Sequence, residues 1–123
     1  MITTDFFPDS FKFKLANSIP NFLITDLDDE FSAEPSDLEA DEGFLTILPC
    51  RPPDGYPKPM VTWKRSEEYV NLDQRIHIND QGDLVIQKLF KEDEGRYQCI
   101  VSNMAGTRDS TVARLHVRRK IFI

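Results

Sequence analysis

From Phe31 to Val117 the chain alternates apolar and polar residues in short runs, each closed by turn-forming residues. Val61 and Trp63 are separated by Thr62, Ile76 and Ile78 by His77, and Leu115 stands between Arg114 and His116. Leu84 and Ile86 are followed by Leu89, and Ala113, Leu115 and Val117 end the series. A period of two is that of a strand with one face buried. Asp41-Glu42-Gly43, Asn79-Asp80-Gln81-Gly82, Lys91 to Gly95 and Met104-Ala105-Gly106 read as turns. About eight short strands at this spacing, with no long helix, predict an all-β chain of two antiparallel sheets packed face to face.

Some positions depart from the simple pattern. Phe31 to Pro35 and Asp37 to Ala40 read as a first strand broken at Pro35, as an edge strand tolerates. Phe44 to Cys50 is the next strand, with Leu48 and Cys50 inward and an unusually apolar outer face of Leu45 and Ile47. Pro49 lacks a ladder donor, so a bulge or an end to pairing is expected there. Arg51 to Pro59 carries four prolines after Arg51 and reads as a stiff loop. Ser66 to Asp73 is a polar connection with a short edge strand. Phe11 to Leu15 and Asn21 to Thr25 are candidate strands without an identified partner. Asp26 to Glu30 is an acidic linker, expected to be solvated for charge reasons.

The organising stretch is Asp93 to Asn103, a tight acidic turn that becomes a strand with Tyr97, Cys99 and Val101 on one face. Cys50 is the only other cysteine, and Trp63, the only tryptophan, lies between them. Cys…Trp…Cys, with a tyrosine two residues before the second cysteine, is the signature of an immunoglobulin-like sandwich with a central inter-sheet disulfide. The Tyr97 hydroxyl is then expected to turn back to backbone near Lys91 to Asp93. Trp63, Leu84 and Tyr97 are the expected core markers. Two cysteines fit one disulfide in an oxidising compartment; the alternative is two buried thiols in an intracellular sandwich.

Charge divides the chain. Residues 1–43 hold eleven Asp/Glu against Lys12 and Lys14, while residues 44–123 hold thirteen Lys/Arg against ten Asp/Glu. A slightly basic sandwich thus follows an acidic leader, too weakly basic for a nucleic-acid stripe. No apolar run is long enough to cross a bilayer. The start lacks a basic stretch followed by a continuous apolar core, so no clear signal peptide is read. His77 and His116 have no ligand or nucleophile at useful spacing, and no metal signature or phosphate-cradling glycine loop occurs. The expectation is a non-catalytic chain with no cofactor, no metal and no N-glycosylation acceptor.

Gly43…Leu48-x-Cys50, Trp63, Leu84-x-Ile86, Asp93-x-Gly95-x-Tyr97-x-Cys99 and Asn103-x-x-Gly106 resemble an intermediate-set immunoglobulin domain over residues 31–117. A narrower likeness rests on Asp28 to Phe31, Pro35-Ser36-Asp37, Cys50 to Pro59 and Ser102 to Ser110. These are similar to the second immunoglobulin domain of roundabout axon-guidance receptors. That resemblance implies an extracellular recognition module that helps bind Slit-type leucine-rich-repeat ligands, with heparan sulfate as a co-factor and neighbouring immunoglobulin domains in the same receptor. In that family the preceding domain makes most of the ligand contact, so no contact residue is carried over. Arg75 and Asp93 stand where such domains often hold an ion pair.

On this reading residues 1–26 are an unassigned leader, which could be a remnant of a preceding domain, and the chain is a piece of a longer protein. Residues 27–30 are the linker, 31–117 the domain and 118–123 the exit. Arg118, Arg119 and Lys120, with Arg114 on the same strand, form a candidate heparan sulfate patch against the plainer reading of a solvated linker. The alternatives are a homophilic neural adhesion domain and a structural spacer in an intracellular muscle filament.

Overall fold

The computed structural model describes residues 24–119. Among the described residues eleven strands run in chain order, β1 (Asp26–Leu27), β2 (Leu38–Asp41), β3 (Thr46–Leu48), β4 (Gly55–Tyr56), β5 (Met60–Arg65), β6 (Glu68–Tyr69), β7 (Ile76–Ile78), β8 (Leu84–Ile86), β9 (Gly95–Asn103), β10 (Gly106–Asp109) and β11 (Ala113–Arg118). The only helical piece among the described residues is a single 3-10 turn at Lys91–Asp93. The larger sheet has the order β2-β11-β9-β5-β6, with β10 also on β9; the smaller layer is β3-β8-β7, and β1 and β4 form a separate two-stranded ribbon.

The alternation decides what lies between the sheets. Trp63, Tyr97, Cys99, Val101, Leu115 and Val117 come from the larger sheet and meet Leu48, Ile76, Leu84 and Ile86 from the smaller. Cys50 and Cys99 are joined by a disulfide across this core. Trp63 sits directly opposite Cys99 on the neighbouring strand. Its indole N–H donates to the Gly82 carbonyl at 2.9 Å, so the polar edge of the ring is satisfied in the interior.

The prolines act as breaks. Before Pro35, Ala33 makes an isolated antiparallel bridge to Arg51; after it, β2 runs parallel to β11 in the larger sheet. The chain thus changes pairing partner at a residue that has no N–H to lose. β3 ends at Leu48, immediately before Pro49. Leu45 and Ile47 remain 57% and 45% exposed on the outer side of the smaller sheet.

Two turns depend on backbone conformation. Gly82 has φ of 105° and closes the turn by donating its N–H to the Asn79 carbonyl at 3.1 Å. Here glycine avoids a Cβ clash twice over, because a Cβ would lie 2.9 Å from the Cys50 carbonyl oxygen. The β5–β6 hairpin turns through Ser66 and Glu67 with φ of 51° and 73°, the double left-handed geometry of a tight hairpin built without glycine.

The acidic linker departs from the expectation of a solvated segment. β1 pairs with β4, Asp28 N–H donates to the Asp54 carbonyl, and Asp26 and Leu27 are 5% and 4% exposed. Backbone pairing outweighs the charge argument for Asp26 to Asp28, whose peptide groups are bonded, and the remaining charges fall on Asp29 and Glu30, which stay exposed. Asn103 donates to the carbonyls of Asp26 and Pro57, and Arg108 donates to the Leu27 carbonyl and the Asp29 carboxylate. Gly55 permits the close approach, since a Cβ there would stand 2.9 Å from the Asp26 carbonyl oxygen.

Candidate functional site

The corner below β9 holds a dense hydrogen-bond network. Arg75 grips Asp93 with two parallel bonds, Nη1 to Oδ2 at 2.6 Å and Nη2 to Oδ1 at 3.0 Å. Asp93 is nearly fully buried and also accepts the Phe90 N–H. Arg75 further donates to the Lys88 carbonyl and lies 4.0 Å over the Phe90 ring. The Asp93 carboxylate, bonded to the guanidinium, pushes the Arg75 pKa up from its ordinary value. The Tyr97 hydroxyl donates to the Asp93 carbonyl at 2.5 Å, and burial pushes its pKa up. These groups are saturated by one another, so they hold the corner and leave nothing for a ligand.

Glu94 is the hub of a second, wetter cluster. It accepts the Val117 N–H and the Lys91 ammonium, and His116 Nδ1 lies 2.7 Å away. The Val117 N–H, then Lys91, hold the Glu94 carboxyl below its usual range. Asp73 is likewise lowered by the N–H groups of Ile76 and Arg75. A carboxylate whose folded pKa is depressed stabilises the fold above its unfolded pKa and loses that contribution as pH falls through the folded one. We expect the melting temperature to drop between about pH 5 and 3. In the Asp73→Asn, Glu94→Gln double variant that slope should be shallower. Identical slopes in calorimetric scans would remove these two groups from the acid response.

The outer face of the larger sheet is mostly polar. β11 presents Arg114, His116 and Arg118, β9 presents Arg96, Gln98, Ile100 and Ser102, and β5 presents Met60, Thr62 and Lys64. Of the cations singled out from the sequence, Arg114 and Arg118 share this face. Arg118 is bonded to Asp41 at 2.9 Å and stands 3.8 Å from Glu39. Arg119 is exposed beyond the strand, and Lys120 lies outside the described residues. The structure instead brings Arg114 beside Arg96, directly opposite it in register, with Lys64 one row away. Arg96 and Lys64 were not singled out from sequence. Their outward parity, odd relative to Tyr97 and Trp63, was readable; their adjacency to Arg114 was not.

Among the described residues no cluster of three His, Cys, Asp or Glu side chains is arranged to hold a metal ion. No helix among them is long and apolar enough to cross a membrane.

Two sheets pinned by a buried disulfide against a tryptophan, with a tyrosine hydroxyl closing the corner, define an immunoglobulin sandwich. The immunoglobulin I-set domain model matches residues 29–117, and the chain belongs to that family. Among curated proteins it is similar to protein sax-3 of Caenorhabditis elegans, 34% identical over 96 residues, covering 76% of this chain and 8% of sax-3. It is also similar to roundabout homolog 1 of Mus musculus, 39% identical over 92 residues, covering 74% of this chain and 6% of the relative. The chain thus spans a small part of the length of the curated relatives it matches. Among solved structures, Sidekick-1 immunoglobulin domains 1-5 align with a TM-score of 0.69 at 32% identity, covering 77% of this chain and 20% of that one.

Proposed function

We propose that the chain is a non-catalytic recognition module of a cell-surface guidance or adhesion receptor, displayed outside the cell. Its ligand class is a Slit-type leucine-rich-repeat protein. The observation that carries this reading is the likeness to roundabout homolog 1 and sax-3 across most of the chain. Three stretches on which the resemblance to roundabout receptors rests in the sequence meet at one end of the domain. The acidic linker, the proline-rich loop before Pro59 and the Asn103 turn are tied together by the Asn103 amide. The Cys50–Cys99 bond supports an oxidising compartment over the interior of a muscle cell.

The test is binding of the 123-residue chain, immobilised, to the leucine-rich-repeat part of a Slit-type protein. Saturable binding that free chain competes away is expected. Absence of any saturable response, while a full roundabout ectodomain binds on the same sensor, would reject the reading.

A secondary contact with heparan sulfate would fall on Arg114, Arg118, Arg119 and Lys120. With Arg118 already held by Asp41, retention on heparin should be weak and vanish at modest salt. Unchanged retention after Arg118, Arg119 and Lys120 are all made Ala would place any polysaccharide elsewhere.

A further inference from the structure

Arg96 and Arg114 face each other directly across antiparallel strands, a placement that brings Cβ atoms to about 4.5–5.5 Å. Like charges so placed destabilise a sheet. Neither guanidinium has an ion-pair partner among the described residues, although Arg51, Arg75, Arg108 and Arg118 all have one. Lys64, one row along, is 4.9 Å over the ring of Tyr69 and likewise has no carboxylate. Two shallow hollows flank Arg96, one lined by Lys64, Gln98 and Val112, the other by Arg114, Leu115, His116 and Glu94, whose carboxylate is already bonded to Lys91 and the Val117 N–H. The strained turn at Ser66 and Glu67 forms the rim of the first. Two facing guanidinium groups without an ion pair are a local cost to the sheet, the pattern of a surface kept for binding.

The chemistry around the cations selects the partner. Tyr69 and Val112 are 64% and 52% exposed, and Ile100 is half-buried on the same face. Arginine and tyrosine beside aliphatic surface is the composition of protein–protein contact centres. Guanidinium forks match carboxylates in bidentate geometry. Glu67 at the rim would repel a densely sulfated polymer while leaving room for a single carboxylate at each arginine.

We infer that the outer sheet face around Lys64, Arg96 and Arg114 docks an acidic protein segment, one with two carboxylates flanking an aliphatic side chain. This rests on the reading of the chain as a recognition module and names the surface and partner chemistry.

The probe is a synthetic Glu-Leu-Glu-containing peptide, titrated into the isotope-labelled 123-residue chain and followed by amide NMR. Shift changes should centre on Lys64, Arg96, Gln98 and Arg114, and affinity should fall about tenfold from low to moderate salt. The Arg96→Gln, Arg114→Gln variant should lose binding at least tenfold, whereas Arg119→Gln should not. Arg114→Thr should also raise the melting temperature by about 1–4 °C, by relieving the arginine pair. No binding, shifts centred elsewhere, or equal binding of a Gln-Leu-Gln peptide would overturn the inference. So would tighter binding of a heparin octasaccharide to the same residues, or concentration-dependent shifts without peptide, which would make a second copy the occupant. If the double glutamine variant still binds the Slit-type protein at parental strength, this surface is wrong and the recognition reading stands. If the parent binds the peptide but no Slit-type protein, the reverse holds.

Discussion

Trp63→Ala lowers the unfolding free energy by about 3–5 kcal/mol. The side chain is 2% exposed and fills the space between the sheets beside the disulfide. Truncation removes its transfer free energy, opens a cavity that rigid strands cannot close, and strands the Gly82 carbonyl it satisfied. A domain of this size holds only about 5–15 kcal/mol in total, so the variant should be marginally folded at 37 °C. Trp63→Phe separates the contributions, because it keeps most of the volume and loses the hydrogen bond, and should recover more than half of the loss. Denaturant midpoints at constant slope measure both. A parental midpoint for Trp63→Ala would remove the indole from the core.

Replacing Cys50 and Cys99 together by alanine costs about 4 kcal/mol. The two residues are 49 apart in sequence, so the bond closes a long loop and restricts the unfolded chain more than a short one would. Both are fully buried, so the alanines also leave two small voids. The parent treated with reductant under mild denaturant should unfold at a similarly lowered midpoint. If the double variant and the reduced parent both kept the parental midpoint, the bond would add nothing to stability and the compartment argument would lose its physical basis.

Much of the sandwich was legible before any coordinates. The residues that decide it are local in pattern. Tyr97, Cys99 and Val101 announce their buried face by parity, and Pro35 and Pro49 mark where pairing changes because they lack an N–H. Gly82 marks a turn because only glycine takes that φ without strain. The docked linker was misread for the opposite reason. Asp26 to Asp28 look solvated by charge, but their backbone is paired with Tyr56, Gly55 and Asp54, far along the chain. The tight turn at Ser66 and Glu67 was also hidden, since neither residue type advertises a positive φ.

The candidate surface shows the same division most sharply. The order of apolar and polar positions, the two cysteines and the single tryptophan determined by themselves that the chain is an immunoglobulin sandwich. They did so because burial parity and turn chemistry are properties of adjacent residues. Which cations meet was decided by register. Arg96 and Arg114 are eighteen positions apart on strands joined through β10, and a register shift of one residue between β10 and β11 sets their alignment. Moving that pairing by a single residue would turn Arg114 inward or away from Arg96, since side chains alternate faces along a strand. Only the folded sheet therefore converts two ordinary surface arginines into an unpaired cationic couple.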